Sequence, residues 1–142
     1  MIIGRLESGI VIDHISAGNG RYIYDVLKLD ELNCTVAMIK NADSTKMGKK
    51  DIIKIGEVID LNFDLLGFID PGITVNIVEN GQIVKREHLT LPERISGLIK
   101  CKNPRCITSV EPELPSEFRL SDREKRIYRC IYCENAASQN NI

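Results

Sequence analysis

Four cysteines constrain this chain more than any other feature. They stand as Cys101-x4-Cys106 and, 23 residues later, Cys130-x2-Cys133. Two close pairs can each turn two thiolates toward one tetrahedral zinc, with Zn–S bonds near ~2.3 Å. Thiol–disulfide exchange would use one low-pKa pair and leave the other unexplained. Four bound thiolates leave no coordination position for water or substrate, so the predicted site is one structural zinc per chain. Residues 101 to 133 hold few large apolar side chains, and a piece that small needs a staple. Zinc in comparable small sites contributes on the order of 10 kcal/mol of folding free energy.

The compartment follows from what surrounds the quartet. The longest apolar runs are a few residues, far short of the ~20 that a membrane helix needs. The start, Met-Ile-Ile-Gly-Arg-Leu-Glu, lacks the basic flank, long apolar stretch and cleavage site of a signal peptide. A soluble, cytoplasmic protein is expected, with reduced thiols and no membrane partner. Cys34, the fifth cysteine, lies in an apolar run and reads as a small buried hydrophobe. Nineteen basic residues against 20 acidic ones give no global pull toward nucleic acid.

The 142 residues divide into two unlike parts. Residues 1–90 alternate strand and helix signals: strand 9–15, helix 21–29, strands 34–41 and 50–55, helix 62–68, strand 73–79. Asp70-Pro71-Gly72 stops the second helix, and Asn80-Gly81 is a hairpin turn into a further strand at 82–86. The order β-α-β-β-α-β plus one strand predicts an α+β fold: a ferredoxin-like split βαβ sandwich with its helices on one sheet face. Leu91-Pro92-Glu93-Arg94 then leads into residues 91–142, a small β-rich zinc-binding domain.

Strand parity sorts the first part onto two faces. Ile10, Ile12, Asp51, Ile53, Ile55, Ile73, Val75 and Ile77 fall toward the helices. Val11, Asp13, Lys50, Ile52, Lys54, Asn76 and Val78 fall on the open side. Such a face could hold a nucleotide, its lysines meeting phosphates, Asp13 and Asn76 meeting hydroxyls or a base edge. It could equally be an ordinary solvated sheet face. Catalytic signatures are thin: the two histidines, His14 and His88, belong to no triad or zinc-protease motif. Asp13 and His14 are strand neighbours expected to face opposite ways. Between Cys101 and Glu134, seven basic residues meet six acidic ones, a faint footprint for a nucleic-acid binder. Protein docking suits the zinc module better.

One family shares these features. Gly9-Ile10-Val11-Ile12-Asp13-His14-Ile15, Met47-Gly48-Lys49-Lys50-Asp51-Ile52-Ile53-Lys54-Ile55, Thr74-Val75-Asn76, Leu91-Pro92-Glu93-Arg94-Ile95 and the unequally spaced cysteines resemble the regulatory chain of aspartate carbamoyltransferase. The resemblance implies a noncatalytic subunit of pyrimidine biosynthesis. Its N-terminal domain would form a homodimer and bind CTP or ATP as effectors. Its zinc domain would grip the catalytic chain, in a complex of two catalytic trimers and three regulatory dimers. Carried over by position, the effector site would use Leu6, Val11, Asp13, His14, Lys50, Ile52, Lys54, Asn76, Val78 and Ile83, and the zinc ligands would be Cys101, Cys106, Cys130 and Cys133. Where the family commonly has a phosphate-binding lysine after the hairpin, this chain has Arg86, with Lys85 beside it. An aromatic position near the turn is Gly81. A zinc-ribbon nucleic-acid binder and a small nucleotide-acting enzyme are the alternatives, separable by gel shift and by turnover.

Overall fold

The computed structural model describes residues 7–137. Within residues 1–90 it forms β1 Gly9–Ser16, α1 Gly20–Val26, β2 Val36–Ser44, β3 Gly48–Ile55, α2 Phe63–Ile69, β4 Thr74–Glu79 and β5 Gln82–His88. The five strands make one antiparallel sheet in the order β2-β3-β1-β4-β5. Its first four strands carry the split βαβ arrangement, and the hairpin adds β5 at the edge. The first helix is shorter than periodicity predicts. It ends at Val26, Lys28 turns left-handed at φ 54°, and a 3-10 turn covers Leu29–Glu31.

Local chemistry explains the boundaries. Asn62 caps α2, its side-chain oxygen accepting the Leu65 N–H at 3.1 Å. Asn80 and Gly81 both have positive φ, 51° and 76°, as the tight hairpin turn requires. Ile10, Ile12, Ile53, Ile55 and Val75 are buried with Ile23, Leu66 and Ile69 of the helices in one apolar cluster. Parity holds there. It breaks at Asp13–His14, where the pairing jumps from Ile12↔Ile53 to Ile15↔Asp51. His14 adopts φ 58°, and this bulge turns Ile15 into the core, fully buried. The expectation that Asp13 and His14 face opposite ways rests on an alternation that this bulge interrupts.

The second part contains β6 Arg94–Ser96, the short helix α3 Ile107–Val110, β7 Glu117–Asp122, β8 Ile127–Cys130 and β9 Ala136–Ala137. Their sheet runs β6-β7-β8-β9. Inward-facing Ile95, Phe118 and Tyr128 are buried, joined by Ile99 from the loop before the first cysteine. The stretch between the cysteines therefore owns two large core residues, Phe118 and Tyr128, despite its low apolar content. The connector is packed: Leu89 and Leu91 are buried, and the Leu120 N–H donates to the Glu93 carbonyl at 2.8 Å. No helix of the described residues is long and apolar enough to cross a membrane.

Candidate metal centre and effector face

The cysteines converge from four places. Cys101 follows the β6 exit, Cys106 caps α3, Cys130 ends β8, and Cys133 closes the turn after it. Their four sulfurs lie within 4.8 Å of one another, and none is in a disulfide. Cys101 and Cys133 are 3.5 Å apart, Cys106 and Cys130 3.6 Å. A tetrahedral zinc with Zn–S near ~2.3 Å needs neighbouring sulfurs about 3.8 Å apart. The four residues fit that ion.

Two of the four thiols resist ionisation. Burial and neighbouring thiols push Cys101 up to about 12 and raise Cys130 as well. At Cys106 burial also opposes ionisation, but hydrogen bonds from the Thr108 hydroxyl and backbone bring it down to about 7. A divalent cation makes four adjacent thiolates compatible, and when bound it supplies folding energy rather than reactivity. Cys34 lies far from this group in sequence, partly buried against the apolar core rather than fully buried as expected.

The open sheet face gathers most of the other candidates. Register sets Lys54, Val11, Asn76 and Arg86 side by side across β3, β1, β4 and β5. Gly9, Val78 and Ile83 form the adjoining row toward the hairpin. Lys50 reaches over the bulge to Asp13, Nζ to Oδ1 2.9 Å. Asp13 Oδ1 also accepts the His14 N–H at 2.6 Å. Burial opposes the charged form of Asp13, yet the Lys50 and His14 bonds outweigh it and hold the carboxyl below its ordinary range. Arg86 Nε donates to Asn76 Oδ1 at 2.8 Å. Lys85 pairs instead with Ile77 and bridges Glu87 at 3.0 Å, so of the two cations after the hairpin Arg86 is the one in the row. His14 Nδ1 is buried and has no hydrogen-bond partner among the described residues. Ile52 lies on β3 between Lys50 and Lys54, half-buried as they are. Leu6 lies outside the described residues.

Two features depart from the sequence reading. Thr74, Asn76 and Val78 are buried as Ile73 and Val75 are, while Ile77 is only half-buried; β4, paired with β1 and β5, is covered on both faces. His88 also belongs to this face, opposite Thr74, which stands opposite Asp13, with His88 Nδ1 3.5 Å from Thr74 Oγ1. Carrying strand parity two residues past Arg86 would have found it.

Fold and sites together define a two-part chain, a ferredoxin-like layer with a polar, cation-bearing face joined to a module built on a four-cysteine metal centre. Residues 1–90 match the family model described as aspartate carbamoyltransferase regulatory chain, allosteric domain. Residues 93–142 match that of the regulatory chain's metal binding domain. An aspartate carbamoyltransferase regulatory chain of Clostridium botulinum strain Hall is 49% identical over 142 residues, covering 100% of this chain and 97% of the relative. That of Clostridium acetobutylicum is 51% identical over 134 residues, 94% of this chain and 92% of the relative. That of Bifidobacterium longum is 42% identical over 137 residues, covering 96% and 99%. The chain belongs to the family of aspartate carbamoyltransferase regulatory chains. It is a noncatalytic, regulatory subunit with an allosteric domain and a metal-binding domain suited to structural zinc.

Proposed function

We propose that the open sheet face of residues 1–90 binds a nucleoside triphosphate effector, CTP or ATP, and that residues 91–142 dock the catalytic chain of aspartate carbamoyltransferase. The observation that carries the first part is the row Lys54–Val11–Asn76–Arg86 beside the Lys50–Asp13 pair. Its three cations suit a triphosphate, and Asn76 and Asp13 offer acceptors to ribose or base. The orphaned His14 Nδ1 supports the reading, since a buried polar atom without a partner is what a bound ligand would satisfy. Arg86 presents a planar fork where a lysine would present a point charge. Gly81 at the turn tip offers no ring for stacking, so base preference rests on backbone and on Val78 and Ile83.

Docking is supported by what surrounds the cysteines. Ile107 and Val110 on α3, and Ile131 and Tyr132 between Cys130 and Cys133, are all exposed. Four large apolar groups clustered at the ends of a metal centre mark a protein interface. Within the assembly the N-terminal parts pair as homodimers, three of which join two catalytic trimers in the cytoplasm. Nucleotide binding then shifts the catalytic chain's affinity for aspartate, and aspartate must shift nucleotide binding by the same factor.

The test is calorimetry with CTP and ATP on the reconstituted complex, with and without a substrate analogue. Nucleotide binding that changes when the analogue is present is expected. Absence of binding to either form would sink the effector reading. Turnover by the isolated chain would overturn the regulatory one.

A further inference from the structure

Asp51 is the least expected residue on β3. It is fully buried, next to Lys50 in sequence and on the opposite face of the sheet. Among the described residues its carboxyl group takes three backbone N–H groups and no cationic side chain. Oδ2 accepts from Gly18 at 3.0 Å, in the turn leaving β1, and from Gly20 at 2.9 Å, the first residue of α1. Oδ1 accepts from Asn41 at 3.0 Å, on β2. Both neighbours of β3 are bulged at this level. β1 is bulged between Ile12 and Ile15, and β2 between Ile39 and Ala42. Each bulge contains one non-glycine residue in the left-handed region, His14 and Asn41, both at φ 58°. Such conformations persist only where the surroundings enforce them.

One side chain thus ties the β2 bulge to the turn that follows β1, on either side of β3. Lys50 stands opposite Ser16 on β1 and Ala42 on β2; Ala42 lies immediately beyond its bulge, and Ser16 one residue further from the other. Gly20 is built around the same group: a Cβ there would come within 2.7 Å of Asp51 Oδ2.

We propose that Asp51 is a positioning residue for nucleotide binding: from the core side it ties the β2 bulge to the chain that follows the β1 bulge, and so sets Lys50, and with it Asp13, on the effector face. It touches no ligand itself. This rests on the effector reading above, from which it is separable, because Lys54 and Arg86 lie on unbulged pairings of the same face. A loosened clamp should disturb Lys50 and spare those two.

The experiment is a pair of double-mutant cycles on the full, zinc-loaded chain, read as ATP and CTP affinity by calorimetry. Asp51→Asn keeps one acceptor oxygen and should weaken binding about tenfold, a typical coupling for residues in one network. In a Lys50→Ala background its effect should shrink to about twofold or less, while in Lys54→Ala it should keep its full size. Asp51→Glu restores the carboxylate and is expected to recover part of the loss. A merely structural role would weaken both backgrounds equally, and that result overturns the proposal. Wild-type chain that binds neither nucleotide would sink the effector reading instead. Should Asp51→Asn fail to fold, Gly20→Ala, which must displace the same carboxyl group, takes its place in both cycles. Failure of both variants to fold would count against positioning and assign Asp51 to the folding core.

Discussion

The rings of Phe68 and Tyr128 meet edge to face, their centroids 5.0 Å apart and their planes at 68°. Phe68 belongs to α2 of the allosteric domain. Tyr128 lies on β8, two residues before Cys130 of the candidate metal centre. The Tyr128 hydroxyl donates to the Pro92 carbonyl of the connector. Gly67, beside Phe68, lies so close to the Thr90 carbonyl that a Cβ there would clash. Helix, connector and metal-bearing strand therefore share one packed contact.

That contact predicts a graded stability series. Tyr128→Phe leaves the ring pair and removes one hydrogen bond, and should cost about 1 kcal/mol. Tyr128→Ala empties a fully buried site and should cost about 3–5 kcal/mol. Thermal melting of the zinc-loaded chain measures both. Equal losses would show that the aromatic packing contributes nothing beyond the hydroxyl.

Metal content provides a second test. Native mass spectrometry should find one zinc per chain, retained in Cys34→Ser and lost or strongly reduced in Cys130→Ser. Unchanged zinc in Cys130→Ser would remove that cysteine from the ligand set.

On the proposed effector face, Lys54→Ala should weaken nucleoside triphosphate binding about tenfold or more, because a charge-assisted bond is worth roughly 1.5–3 kcal/mol. Lys49 is ion-paired with Asp43 across β2 and β3 and exposed to solvent. Lys49→Ala should change affinity little. Comparable effects of the two substitutions would mean that the cation row is not the binding surface.

The Asp13–Lys50 pair sets a pH dependence. The folded-state pKa of Asp13 is lowered from 3.8, so its contribution to stability is complete above that value and disappears as pH falls through the folded pKa. A carbon NMR titration should give Asp13 a midpoint below 3.8 that rises in Lys50→Ala. An unchanged midpoint in the variant would show that the ion pair does not form in solution.

Zinc removal should separate the two activities. A chelator should release the catalytic partner, since the exposed apolar groups at the cysteines lose their scaffold. Nucleotide binding should survive on residues 1–90, with a lowered melting temperature because Phe68 loses its partner. Simultaneous loss of both would show that the domains do not function separately.

Much of this protein could be read from residue order because the relevant physics is local. Alternation along a strand is backbone stereochemistry, so it places Ile10, Ile12, Ile53 and Ile55 on the core side and Lys50 and Lys54 on the other face without reference to any neighbouring strand. The Asn62 cap and the Asn80-Gly81 turn need only the adjacent backbone. The cysteine pairs carry their own geometry, since two short turns present two thiolates each. What tertiary structure decided involves groups distant in the chain. The bulge at Asp13–His14 arises from the fit of β1 between β3 and β4, and it alone returns Ile15 to the core and turns Asp13 to Lys50. Asp51 reads from parity as a misplaced charge on an apolar face. Only the folded chain brings it Gly18, Gly20 and Asn41, because backbone donors have no sequence signature: every residue but proline carries one. Phe68 and Tyr128 likewise advertise burial but not each other. Their pairing depends on how α2 and β8 pack, which no periodicity records.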